Sequence, residues 1–159
     1  MHYAVRMPTI RRATAADAEL LAEQRVLMAV DAGMAEKQAT APMRANFLPW
    51  VRERIEDGQY IGWIAEEDGQ PVGGAGLWVM DWPPVSVDPE PRRGYLINFY
   101  IAPEMRRRGI ASELLKLAVA EARTRELRVV TLHASQEGRR LYESFGFSEG
   151  NEMRLMLEL

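Results

Sequence analysis

The chain has 159 residues, of which 47% are hydrophobic and 27% charged, with a net charge of -3 and no cysteine. These values predict one soluble globular domain, residues 1–159, and exclude a cysteine nucleophile and thiolate metal ligands, so we expect no metal. The pI near 5.5 and the absence of a bilayer-length apolar run or a signal-peptide pattern predict a cytoplasmic protein that binds neither nucleic acid nor membrane.

The first half of the sequence predicts a strand, two helices and a β-hairpin. Thr14 is a typical N-cap for the first helix, and Gly33 is a typical stop after it. Two strand-like runs are separated by a short turn in which Asp68-Gly69 is characteristic of a two-residue hairpin. The predicted elements are a strand over 8–13, helices over about 15–30 and 42–57, and strands over 60–66 and 71–80.

The second half predicts a strand–helix–strand unit that follows a proline-rich loop. Four prolines lie between Asp81 and Arg93, a density that forbids regular structure. The order of the elements predicts an α/β fold, an α+β sandwich, with a right-handed βαβ crossover. The predicted elements are a strand over 94–101, a helix over 110–125, a strand over 128–133, a helix over 137–145 that Gly146 stops, and a last strand over about 152–157.

The junction between the strand that ends at Ile101 and the helix that begins at Ile110 is suited to holding a phosphate. The first amides of a helix have no intrahelical acceptor, and the helix dipole places partial positive charge there. Gly109 lets a ligand approach the main chain, and three arginines, residues 106–108, stand beside it. The alternative interpretation is a solvated basic loop in front of an ordinary helix.

Two motifs in the second half resemble those of the GNAT superfamily of N-acetyltransferases. The spacing Arg106-x-x-Gly109-x-Ala111 resembles the acyl-CoA-binding loop of that family. Downstream, the run Ser135-Gln-Glu-Gly-Arg-Arg-Leu-Tyr-Glu-Ser-Phe-Gly-Phe147 resembles its second signature. Both motifs lie within about residues 94–147. Ser135 stands where the family usually has Asn, and Gly138 stands where it usually has Ala.

The resemblance implies a fold and a cofactor. The expected sheet is mixed and mostly antiparallel, has six or seven strands flanked by helices, and is splayed between its fourth and fifth strands. The gap would admit the pantetheine arm of acetyl-CoA, and the loop amides would bind its pyrophosphate. The implied cofactor-binding residues are Phe99, Tyr100, Ile101, Arg106, Arg107, Arg108, Gly109, Ile110, Ala111, Ser112, Ser135, Gly138 and Tyr142.

The implied activity is transfer of an acetyl group from acetyl-CoA to a primary amine. Tyr142 resembles the family tyrosine that protonates the departing thiolate, a role suited to a phenol that is protonated at neutral pH; otherwise it is a half-buried helix tyrosine. The base that deprotonates the amine is not identified. Glu66, Asp81 and Asn98 are candidates by position, and ordered water is the preferred alternative. We expect His133 to be a core or rim histidine and not a catalytic one.

The acceptor is not identified by the sequence. The loops over 31–42 and 81–93 and the four tryptophans could form its surface, although Trp63 and Trp78 alternate with apolar neighbours and are predicted to be core. Trp50 and Trp82 remain, and Trp82 is expected to be exposed. A non-catalytic CoA-binding module and a protein or peptide N-acetyltransferase are alternatives. Homodimers are frequent in the family, and no stretch of the sequence identifies an interface.

Overall fold

A computed structural model describes residues 6–158 as one five-stranded sheet with helices on both faces. None of the helices described is long and apolar enough to cross a membrane. The strands are β1 (Thr9–Arg12), β2 (Tyr60–Glu67), β3 (Gln70–Asp81), β4 (Arg92–Ile101) and β5 (Val130–Thr131). The helices are α1 (Ala18–Asp31), α2 (Ala41–Glu56), α3 (Ile110–Thr124) and α4 (Arg139–Ser144), and 3-10 turns cover Ala15–Asp17, Lys37–Ala39 and Pro103–Met105.

The strands follow one another across the sheet in the order β1-β2-β3-β4-β5, and only the β4–β5 pair is parallel. The predicted hairpin is confirmed as β2–β3. Its turn residues Asp68 and Gly69 have φ values of 51° and 74°. Both values are positive, as a type I′ turn requires, which explains why this dipeptide joins the two strands.

The prediction of six or seven strands is wrong, because five form in the part of the chain that the structure describes. The expected last strand over 152–157 has no assigned strand structure, although it alternates charged and apolar residues. Strand structure needs a hydrogen-bonded neighbour, and β5 is only two residues long, much shorter than the predicted 128–133. The apolar side chains of residues 152–157 are therefore exposed; Met153, for example, is 95% exposed.

Two apolar layers hold the helices against the sheet. On one face, α3 buries the residues that recur at helical spacing, Ile110, Leu114 and Ala118, against Leu77 and Leu96 of the sheet. On the other face, α1 and α2 close over β2 through a second cluster of buried side chains. That cluster includes Leu21, Phe47, Val51, Tyr60 and Ile64.

A β-bulge in β4 bends this strand away from β5. The β3–β4 register shifts between Gly74 and Gly76, so that Asn98 and Phe99 both stand opposite Ala75. Asn98 has a φ of 64° and is only 2% exposed. The β4–β5 ladder joins just Gly94 with Val130 and Tyr95 with Thr131, and the strands then separate. The predicted splay between the fourth and fifth strands is thereby confirmed.

The side chain of Tyr60 on β2 occupies the space beside Gly76 of β3. A Cβ atom at this position would overlap the hydroxyl of Tyr60, so we expect Gly76→Ala to lower the free energy of unfolding by about 1–3 kcal/mol. The ring carbon Cζ of Tyr60 would overlap this Cβ atom as well, so adding Tyr60→Phe, which removes only the hydroxyl, should recover little of the loss. Urea unfolding of Gly76→Ala with and without Tyr60→Phe measures the effect. Full recovery in the double variant would show that the hydroxyl alone is the obstacle.

Candidate functional site

The loop between β4 and α3 presents its main-chain amides to one side. Arg107 and Gly109 both have positive φ, 61° and 81°, which turns successive N–H groups toward a common point. The N–H of Glu113 is the first to bond within this turn, donating to the carbonyl of Gly109 at 3.1 Å. Among the described residues, the amides from Arg107 to Ser112 donate to no protein acceptor. With the dipole of α3 behind them, these amides are suited to binding an anion, and we refer to residues 106–112 as the anion-binding loop.

The three arginines of the loop have different environments. Arg106 donates to Asp31 at 2.7 Å, and Arg108 donates to Glu67 at 3.0 Å and to the carbonyl of Arg6 at 3.1 Å. Arg107 is exposed and makes no ion pair with any residue in 6–158. Arg107 is therefore the loop arginine whose charge no described carboxylate neutralises.

The edge of β4 that faces β5 has no strand beside it after Tyr95. The carbonyl of Ile101 points to this edge, where it accepts a hydrogen bond from Nε of Arg106 at 3.0 Å. Residues two apart along a strand direct their main-chain groups to the same edge, so the N–H and C=O of Phe99 face it as well. Main-chain groups at an open interior edge need partners from water or a ligand.

A cavity of about 670 Å³ joins the open edge of β4 to the anion-binding loop. Every cofactor-binding residue implied by the sequence lines it except Arg108, which is turned toward the β2–β3 hairpin. The end of α1 also lines the cavity, through Met28, Asp31 and the following residue Ala32; Asp31 and Ala32 belong to the 31–42 segment predicted to face the acceptor, whereas the sequence did not single out Met28. Their spacing along one side of a helix was the available signal, but it does not distinguish a cavity wall from a core contact.

Tyr142 lies between this cavity and a second one of about 530 Å³, and it lines both. Its ring packs edge-on against Phe99 at 6.0 Å and Phe147 at 5.9 Å between ring centroids. This burial raises the pKa of the Tyr142 phenol to about 12. A Cβ atom at Gly138 would lie 3.0 Å from the Tyr142 ring, which gives a steric reason for glycine at this position.

The second cavity is lined by side chains of β4, β5 and α4, including Tyr95, Thr131 and His133. The hydroxyl of Tyr95 and Nδ1 of His133 form a hydrogen bond at its edge. Of the two expected positions for His133, core or rim, its exposure agrees with the rim. The sequence did not reveal this second cavity, because it depends on how the chain after α4 lies beside β5.

None of the three candidate bases lines either cavity. Glu66 accepts a hydrogen bond from Arg11 at 2.8 Å, and Asp81 is exposed at the end of β3. Asn98 donates from Nδ2 to the carbonyl of Leu21 at 3.0 Å and is buried. Their positions give no support for a role in deprotonating an acceptor.

The tryptophans divide between core and a continuous aromatic wall. Trp63 is 5% exposed, as expected for a core residue. Trp50 packs edge-on against Tyr60 and Trp78, and Trp78 in turn packs against Tyr95. Trp82 is half-buried rather than fully exposed, because the guanidinium of Arg93 lies 3.3 Å from its ring centroid.

Comparison with known proteins agrees with this geometry. The model of the acetyltransferase (GNAT) family matches residues 25–147. The chain belongs to this GNAT acetyltransferase family. No match was found among curated proteins.

Solved structures show the same GNAT fold over nearly the whole chain. A GCN5-related N-acetyltransferase from Ralstonia eutropha is 37% identical, with a TM-score of 0.88 over 94% of this chain and 97% of that one. A predicted acetyltransferase from Clostridium acetobutylicum, solved with acetyl-CoA, is 28% identical, with a TM-score of 0.88 over 95% and 96% of the two chains. Glucosamine-6-phosphate N-acetyltransferase from Arabidopsis thaliana, 14% identical, shares the fold alone, with a TM-score of 0.68 over 96% and 99%.

The shape of the anion-binding loop in this GNAT protein depends on the backbone of Gly109. An alanine at this position would meet no neighbouring atom, but it would be held at a φ of 81°. We therefore expect Gly109→Ala to lower the free energy of unfolding by about 1–2 kcal/mol through backbone strain. Gly150→Ala is the matched control, since Gly150 also has open space and lacks a positive φ. Chemical denaturation measures the free energy of unfolding of both variants. Equal values would contradict the proposed backbone strain at residue 109.

Proposed function

We propose that this GNAT protein transfers the acetyl group of acetyl-CoA to a primary amine. One observation carries the proposal: two stretches of main chain without protein partners, in the part of the chain described, open onto the same cavity. They are the loop amides from Arg107 to Ser112 and the edge of β4 at Phe99. A ligand with a pyrophosphate at one end and amide groups along an arm satisfies both.

The residues of the cavity suit acetyl-CoA along its length. The anion-binding loop would hold the pyrophosphate, with Arg107 adding charge to a phosphate oxygen. Ser135 and Gly138 line the opposite wall, where Ser135 Oγ accepts the N–H of Gly138 at 3.2 Å and closes the turn before α4. The pantetheine arm would then lie beside β4, which brings the thioester toward Tyr142 and the second cavity.

The proposed reaction is direct attack by a neutral amine on the thioester carbonyl. A β4 amide donates a hydrogen bond to the carbonyl oxygen as negative charge develops on it. The C–N bond forms, the C–S bond breaks, and Tyr142 donates its proton toward the sulfur. Burial raises the pKa of the Tyr142 phenol, and the same surroundings raise the pKa of the CoA thiol formed beside it. The phenol can therefore still donate its proton to the departing sulfur.

Water in the second cavity would take the proton that the nitrogen loses, since the three carboxylate and amide candidates lie elsewhere. The proton returned by this water restores the phenol of Tyr142, so that amine and acetyl-CoA give amide and CoA thiol. The acceptor would approach Tyr142 from this side, opposite the cofactor. We also propose that the protein acts in the cytoplasm, which its cysteine-free sequence supports.

Thermal unfolding with acetyl-CoA, ATP or NAD tests the proposed cofactor. At about 100 times its Kd, acetyl-CoA should add roughly 2.7 kcal/mol of stability and raise Tm by several degrees, whereas ATP and NAD should not. Equal stabilisation by all three ligands would contradict the assignment.

Arg107→Gln should weaken acetyl-CoA binding by roughly 3- to 10-fold, since it removes a charge-assisted hydrogen bond. Arg108→Gln is the matched control and should leave this affinity unchanged.

Replacing Tyr142 with phenylalanine tests the proposed acid. Turnover should fall by roughly 10- to 10³-fold, while acetyl-CoA affinity stays nearly the same, because only proton donation is lost. With a pKa of about 12, the phenol of the unmodified protein stays protonated up to pH 10, so its ionisation should not reduce kcat below that pH. Steady-state kinetics from pH 6 to about 10 measures both effects. Unchanged kcat in the variant would remove Tyr142 from the mechanism.

A further inference from the structure

Arg25 occupies an unusual position on α1, between the helices and the sheet. It is half-buried, and its guanidinium carbon lies 4.9 Å from the ring centroid of Phe47 on α2. Met28 and Ala32 follow it at positions i+3 and i+7, which places all three along one side of α1. Met28 and Ala32 line the first cavity, which is proposed to hold acetyl-CoA, so Arg25 lies on the same side of the helix as this cavity.

The charge of Arg25 is not neutralised by a carboxylate. Within residues 6–158 it makes no ion pair and no side-chain hydrogen bond, whereas Glu23 pairs with Arg44 and Asp31 pairs with Arg106. The groups that act on it electrostatically are the phenols of Tyr60 and Tyr95, and burial lowers the pKa of its guanidinium. A half-buried cation without a counter-ion is unfavourable in the free protein.

Arg25 is too far from the anion-binding loop to serve the pyrophosphate. The loop is tied to α1 at Asp31 through Arg106, and Arg25 precedes Asp31 by six positions, or roughly 9 Å along the helix axis. In the other direction, the Phe47 ring that contacts the guanidinium of Arg25 stacks on Trp50, where an aromatic wall begins that runs through Trp78 to Tyr95. Tyr95 lines the second cavity together with Tyr142, whereas Arg25 itself lines neither cavity. Its charge therefore lies at the end of a series of aromatic contacts that starts at the acceptor side of the proposed reaction centre.

We propose that Arg25 binds an anionic group of the acceptor, so that the preferred acceptors are small primary amines that also carry a carboxylate or a phosphate. This inference rests on the proposed acetyltransferase function. The planar guanidinium can donate two parallel hydrogen bonds to either group. The aromatic wall of Trp50, Trp78 and Tyr95 lies beside it and suits the apolar part of such an acceptor.

The test compares acceptors that differ only in this charge. Methionine is paired with methioninamide, and phosphoethanolamine with ethanolamine, each with acetyl-CoA and the full-length protein. We expect the protein to prefer the charged member of at least one pair. Arg25→Gln should raise KM for that acceptor by about 10- to 100-fold with kcat nearly unchanged, and the charged and neutral members should then be used alike. The pair that shows the preference identifies carboxylate or phosphate.

Three controls separate recognition from folding and from cofactor binding. Arg52→Gln removes an exposed arginine of α2 and should leave all kinetic constants unchanged. Arg25→Lys keeps the charge and should recover part of the lost affinity. Arg25→Gln itself should unfold at the same or a higher temperature and bind acetyl-CoA normally, because it removes a desolvated charge that no carboxylate neutralises and loses only the contact with the Phe47 ring.

Failure of this inference can be told from failure of the proposed function. If both members of each pair are acetylated equally, or if Arg25→Gln slows both alike, Arg25 does not recognise an anion although the protein is an acetyltransferase. If no amine is acetylated while acetyl-CoA still binds, the proposed activity fails and the site is judged by binding alone. Methionine or phosphoethanolamine that stabilises the unmodified protein but not Arg25→Gln would then support the anion site, and no difference would overturn it.

Discussion

The bulge at Asn98 is the constraint on which the rest of the site depends. A non-glycine residue at a φ of 64° is unfavourable by itself, and here the buried amide of Asn98 holds it by donating to the carbonyl of Leu21. The bond also links α1 to β4 at the point where β4 leaves β5. If β4 were regular, its ladder with β5 could continue beyond Tyr95, and the cavity would be closed by the sheet itself.

Two sets of main-chain groups that face the cavity have no partner within residues 6–158, and local geometry is the reason. At the open edge of β4 the cause is the bulge, and in the loop the cause is the positive φ of Arg107 and Gly109. Buried or half-buried main-chain groups of this kind are normally satisfied within the fold. Because two such sets face one cavity, binding of an elongated ligand would complete hydrogen bonding that folding leaves unfinished.

The parts of this structure with local sequence signals could be predicted, and those set by distant partners could not. Asp68-Gly69 defines its hairpin and Gly109 its helix start within a few residues. The separate environments of the loop arginines depend on Asp31, 75 residues from Arg106, and on Glu67, 41 residues from Arg108. The expected strand over 152–157 failed for the same reason: alternation specifies a face, but a strand forms only beside a partner.

The composition of the protein shows that the unpaired state of Arg25 does not come from a shortage of acidic residues. The chain has 23 acidic residues against 20 lysines and arginines, so carboxylates are not scarce. Nearby acids are nevertheless used by other arginines: Glu23 by Arg44 and Asp31 by Arg106. The proposed cofactor half of the site comes mainly from the β4–α3 segment and the start of α4, where two motifs reveal it. The proposed acceptor half would be assembled from α1, α2 and the sheet, so its chemistry becomes visible only when an unpaired charge is seen in its surroundings.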